Sequence, residues 1–145
     1  MSIFVQFEQV ESQVGRIPDL GRRLAQQFWP GPLSLVVEAL PSVAREVLGG
    51  RGTVAVRVPA HAVARNLARH AGCPLTATSA HRSGGTPPKT ADEVIAALGD
   101  EVALVLDAGP TAGGLPSTIV DVTGARPILV RAGAVPWTRV LEFVQ

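Results

Sequence analysis

Three apolar, β-branched runs, VALVLD, STIVDV and RPILVR, follow one another between residues 102 and 131 with no helical pattern between them. A doubly wound fold alternates strand with helix, so this stretch excludes a purely alternating Rossmann arrangement. Upstream, strands and helices mix. SIFVQF reads as a strand that begins with almost no lead-in. Pro18 and Asp19 open a helical pattern in which Leu20, Leu24 and Phe28 recur at four-residue spacing, until WPGP stops it by removing amide donors and fixing φ. LSLVVEA predicts a strand and SVAREVL a short helix closed by Gly49 and Gly50. TVAVRVP predicts a strand with Val54, Val56 and Val58 on one side and Thr53, Ala55 and Arg57 on the other, so Arg57 points away from the valines. AHAVARNLARHAG is helical, with Val63 and Leu67 four apart and Gly72 beyond its end, and CPLTATSA returns as a strand. Thr90 followed by Glu93 marks a capping box ahead of VIAAL, and PWTRVLEFV closes the chain as a helix. The pattern predicts an α/β fold whose sheet is partly parallel and partly antiparallel.

A chain of 145 residues, 46% hydrophobic, can bury one real core and is too short for two comfortable ones, so a single domain over residues 1–145 is expected. The 15 glycines and 12 prolines fall between apolar runs and form no repeat, which makes them turns and not a disordered tract. No stretch nears the ~18 consecutive apolar residues of a membrane span, and no basic-then-apolar leader opens the chain, so a cytoplasmic protein without membrane contact is expected. Cys73 stands alone, which rules out an internal disulfide and predicts a buried, reduced thiol. Net charge is only +1, yet no acidic residue lies between Glu46 and Asp92. That interval holds Arg51, Arg57, Arg65, Arg69, Arg82, Lys89 and all three histidines, a local positive field suited to an anion.

Two loops could carry chemistry. SAHRSGGTPPKT, residues 79–90, leaves the end of a predicted strand and runs into a helix N-terminus whose free amides favour an anion. Ser79, Ser83 and Thr86 supply hydroxyls, Gly84 and Gly85 allow close backbone approach, and Arg82 and Lys89 supply charge. The same composition fits a long solvated loop, and no GxxxxGK[ST] phosphate loop is present. GPTAGGLPSTIVD, residues 109–121, is a second loop of similar character, equally readable as a wide hairpin in which Ser117 and Thr118 cap or face solvent. Arg131 ends a strand just before Gly133, as a surface charge or a ligand contact. WPGP reads as a rigid turn, and His61 and His70 as part of a solvated basic helix face. No histidine pair has metal-ligand spacing, and neither CxxC nor GxSxG occurs, so metal-dependent and serine hydrolases lose support.

FWPGPLSLVV, VAVRVPAH, PLTATSAHRSGG, LDAGP, PSTIVDVTG and ILVRAGAV, in this order, resemble the YrdC-like family of threonylcarbamoyl-AMP synthases, over nearly the whole chain. The resemblance implies a twisted mixed sheet flanked by helices, with a concave basic face. It also implies a reaction joining L-threonine, bicarbonate or CO2, and ATP, carried with Mg, into threonylcarbamoyl-AMP and pyrophosphate. Partner proteins then pass the threonylcarbamoyl group to an adenosine of tRNA, and some relatives are described as binding double-stranded RNA.

By motif, Ser79 and His81 stand at the Ser and Asn of the family's Ser-Ala-Asn signature. The resemblance places Arg57, Pro59, Ser79 and Ser117 around threonine, and His81, Lys89 and Arg131 around the nucleotide, with no metal ligand. The departures are specific. His81 replaces an asparagine, and an imidazole copies one of its hydrogen bonds but not the amide's paired donor and acceptor. Ser34 replaces the threonine of the Pro-Gly-Pro-x-Thr turn. Family members carry a preceding segment with Thr-Val-Tyr-Gly-Leu and a phosphate-gripping Lys-x-Arg, so the resemblance implies a chain truncated at its N-terminus, in which Lys89 is the sole lysine. Three functions follow: a threonylcarbamoyl-AMP synthase, a non-catalytic nucleotide- or RNA-binding module, or a carbamoyl-transfer relative with another acceptor.

Overall fold

The computed structural model describes residues 2–5, 7–81 and 84–144, with side chains from residue 5 onward. Arg82 and Ser83, both counted in the first loop, lie outside the described residues. The chain divides into two compact units, residues 1–77 with 115–145, and residues 78–114.

The larger unit is a mixed sheet. Its strands are β1 (Ser2–Phe4), β2 (Gly15–Arg16), β3 (Leu33–Ala39), β4 (Thr53–Arg57), β5 (Leu75–Ala77), β6 (Thr118–Asp121) and β7 (Ile128–Arg131). They run in the order β5-β1-β4-β3-β6-β7, with β2 pairing off this path against β3. β1–β4 and β3–β6 are parallel, and the other pairs are antiparallel. The mixed sheet expected from the strand-rich C-terminal third is therefore present, through β6 and β7.

One face of this sheet is the core. Leu33, Leu35 and Val37 of β3, Val54 and Val56 of β4, and Val120 of β6 are buried at period two, joined by Val58 and Val122 just beyond their strands. Helix α2 (Asp19–Phe28) covers them with Leu24 and Ala25, and α6 (Trp137–Glu142) with Val140. Phe28 and Phe143 meet edge to face at 5.6 Å between centroids. Gly21 is needed where α2 presses on the sheet, because a Cβ there would sit 3.0 Å from Ile17 and 3.1 Å from Val122. Helices α3 (Arg45–Leu48) and α4 (Ala62–Ala71) follow β3 and β4, and α4 ends on a left-handed Gly72. Val63 and Leu67 of α4 are exposed, and the residue the helix buries is Ala68.

Two expectations shorten or fail in this unit. The SIFVQF strand ends at Phe4, and the chain turns into α1 (Phe7–Gln9) and a π-helical turn, Val10–Val14. Val10 and Val14, four apart and both fully buried, make that turn profitable to the core. Cys73 is exposed, not buried, because it lies in the short connection between α4 and β5.

In the smaller unit α5 (Ala91–Leu98) is capped as its sequence predicts. The Thr90 hydroxyl accepts from Glu93 N–H at 3.2 Å, while the Glu93 carboxylate reaches one residue further back, to Lys89 N–H at 2.6 Å. The expected VALVLD strand does not form. Residues 102–107 join no ladder, and Leu104 and Leu106 are 75% and 55% exposed. Alternating apolar residues favour a strand only where a neighbour takes the hydrogen bonds.

Candidate functional site

The sheet face opposite the core carries the candidate site. Alternation that sends Leu33 and Leu35 into the core sends Ser34 to the other face, and the same holds for Arg57 beside Val56 and Val58. The antiparallel register that pairs Leu35 with Val56 sets Ser34 next to Arg57, while Ser34 pairs with Ile119 of β6 and Ile119 with Arg131 of β7. A row therefore crosses four strands: Arg57, Ser34, the start of β6, Arg131.

Hydrogen bonds join that row. Arg131 grips Ser117: its Nη2 donates to the Ser117 carbonyl at 2.7 Å and to the Ser117 hydroxyl at 3.1 Å, and its Nε donates to the same carbonyl at 3.2 Å. The Ser117 hydroxyl lies 3.0 Å from that of Ser34, which is fully buried. Thr118, also fully buried, donates to the Val135 carbonyl at 2.7 Å and accepts from Val135 N–H at 3.0 Å. Ala134 N–H reaches the Pro116 carbonyl at 2.9 Å. The segment after β7 is thus fastened along residues 116–118. Gly133 makes the fit possible, since a Cβ there would lie 2.3 Å from the Pro116 carbonyl oxygen and 2.6 Å from Thr118 N.

The WPGP turn runs beside the row. Trp29 Nε1 donates to the Leu33 carbonyl at 2.7 Å, Gly31 N–H to Val58 at 2.9 Å, and Thr118 N–H to Pro32 at 3.0 Å. The rigid turn read from the sequence therefore also ties β3 to the segment after β4 and to the first residue of β6. Pro59 is buried, and its carbonyl accepts from Arg65 of α4 at 2.7 Å.

Two guanidinium groups dominate the charge here. Burial, and then the like charge of Arg131, pull Arg57 below the ordinary arginine value. An arginine stays protonated regardless. The consequence is a site in which an anion would relieve repulsion between two fixed cations.

Of the residues singled out by sequence, Arg57, Pro59, Ser117 and Arg131 belong to the larger unit, and the first, third and fourth share this row. Ser79, His81 and Lys89 belong to the smaller one, where Ser79 is exposed and His81 half-buried. There the Lys89 carbonyl accepts from Thr111 N–H at 2.7 Å, and Gly113 lies beside the Lys89 side chain. Sequence reasoning missed Ser34 as a site residue. A hydroxyl inside the apolar run LSLVV was the available signal. Among the described residues no cluster of three or more His, Cys, Asp or Glu could hold a metal ion.

Comparison with known proteins gives a consistent picture. The family model Sua5_yciO_yrdC, described as "Telomere recombination", matches residues 1–133. A Mycobacterium tuberculosis protein is 45% identical over 135 residues, covering 93% of this chain and 62% of its own length. The threonylcarbamoyl-AMP synthase of Pyrococcus abyssi is 40% identical over 138 residues, covering 95% of this chain and 41% of that protein. The crystal structure of P. abyssi Sua5 complexed with L-threonine superposes with a TM-score of 0.90 at 37% identity, over 98% of this chain and 42% of that one. The chain thus spans less than two thirds of the length of these relatives.

Proposed function

The chain belongs to the Sua5/YciO/YrdC family, and from that membership we propose that it acts in the synthesis of threonylcarbamoyl-AMP from L-threonine, bicarbonate and ATP. In this reading the threonine amine and bicarbonate give a carbamate with loss of water. A carbamate oxygen then attacks the α-phosphorus of ATP, the α–β phosphoanhydride bond breaks, and pyrophosphate leaves. The product serves tRNA modification through partner proteins, in the cytoplasm; no helix among the described residues is long and apolar enough to cross a membrane.

The observation that carries the reading is the Arg131–Ser117–Ser34 row beside Arg57. The reaction needs no covalent enzyme intermediate. It needs anionic reactants held in line and phosphate charge neutralised, which preorganised donors and arginines supply. We assign Arg57, Pro59, Ser79 and Ser117 to threonine, and His81, Lys89 and Arg131 to the nucleotide. Magnesium would arrive on the ATP phosphates, as it keeps much of its water shell when so bound, and no residue here is assigned to it.

The test is direct. Purified chain given ATP, L-threonine and bicarbonate should release pyrophosphate only when threonine is present. ATP binding without any pyrophosphate would replace this reading with that of a nucleotide-binding module. The acid-free interval from residue 47 to 91 favours RNA as a further ligand of such a module, in which case affinity for double-stranded RNA falls linearly on a log–log plot as salt rises.

A further inference from the structure

We propose that Ser34 is a positioning residue: it donates its proton to Ser117 and so turns the Ser117 hydroxyl proton toward an oxygen of the bound amino acid. The inference rests on the threonine reading of Ser117 given above.

The hydrogen-bond capacities of the row lead to it. A serine hydroxyl has one proton and two lone pairs. A guanidinium only donates, so Arg131 Nη2, 3.1 Å away, occupies one lone pair of Ser117 Oγ. The Ser34 hydroxyl is fully buried and must place its proton on an acceptor, because a buried donor without a partner is costly. The side-chain oxygen within reach of it is Ser117 Oγ, at 3.0 Å. If Ser34 donates there, both lone pairs of Ser117 are taken and its own proton is left to point out of the row. The opposite arrangement, Ser117 donating to Ser34, would leave a lone pair outward and favour an ammonium group. Next to Arg57 and Arg131 an ammonium is repelled and an anionic oxygen attracted, so the field selects the first arrangement. Ser34 touches no ligand itself and works through the direction it imposes on its neighbour.

The experiment uses two pairs of variants and calorimetric binding of L-threonine in the presence of ATP. Ser34→Thr and Ser34→Val have the same shape and differ by one hydroxyl, so a defect shared by both is packing and a defect in valine alone is the lost proton. Ser34→Val is expected to bind L-threonine about 3- to 10-fold more weakly than Ser34→Thr, the usual worth of one hydrogen bond, with a smaller change in ATP affinity. Ser34→Ala and Ser117→Ala form a double-mutant cycle in which the double variant should bind threonine no worse than Ser117→Ala alone. Additive losses, or equal binding by the threonine and valine variants, overturn the proposal while leaving the threonine reading intact. A wild-type chain that binds no L-threonine overturns the threonine reading, and this inference with it.

Discussion

Arg131 divides its guanidinium between a backbone carbonyl and a hydroxyl of the same residue, Ser117. A lysine has the charge but not the planar fork that makes these bonds together. Arg131→Lys should therefore keep the fold and raise the Michaelis constant for ATP about 10-fold or more, as measured by pyrophosphate release. Gly133→Ala attacks the same place sterically. Its Cβ would overlap the Pro116 carbonyl at 2.3 Å, so the segment after β7 must lift away from residues 116–118 at a cost of about 1–3 kcal/mol. Thermal unfolding should register that loss, and threonine-dependent turnover should fall with it. Ser117 and Arg131 could be singled out from the motifs they stand in, and the structure joins them by hydrogen bonds. Ser34 was not singled out, although it stands at the threonine of the Pro-Gly-Pro-x-Thr turn, because one hydroxyl in an apolar strand does not show which hydroxyl faces it across the sheet. The buried thiol expected at Cys73, from the absence of any partner pattern around it, is exposed because the turn it occupies decides its exposure.

At the scale of elements, periodicity and punctuation read well. Helix α2 runs from Asp19 to Phe28 as its four-residue spacing and the following WPGP require, and β3 coincides with LSLVVEA. Thr90 caps α5 as predicted, so Thr90→Ala should cost about 1 kcal/mol. Hydrogen exchange should show the loss as faster exchange of the amides at residues 91–95, with the β3–β6 amides unchanged. Legibility failed where an element depends on what lies beside it. The apolar alternation of residues 102–107 is strand-like, yet no described strand accepts it, and its leucines stay in water. The π turn at Val10–Val14 was missed because its two inward valines are too few to announce a period against the strand-like letters before them.

At the scale of the whole molecule, the larger unit assigns its two sheet faces to different tasks. One is apolar and holds the fold, while the other carries polar groups in a row and can afford to, because stability comes from behind it. Leu35, fully buried at the centre of β3, tests this division. Leu35→Ala should cost about 3 kcal/mol from lost transfer and the cavity left behind, lowering the melting temperature by roughly 6–12 °C for a chain of this size. Ser34, its sequence neighbour on the other face, should change threonine affinity far more than melting temperature. The mixed α/β class was legible from the strand-rich end of the sequence, whereas the division of the chain at residues 78 and 114 was not, because turn residues of the same kind occur on both sides of it. The exposed thiol at Cys73 has a practical use. As the sole cysteine in the chain, it lets a maleimide dye label each molecule once, ahead of β5, in the unmutated protein.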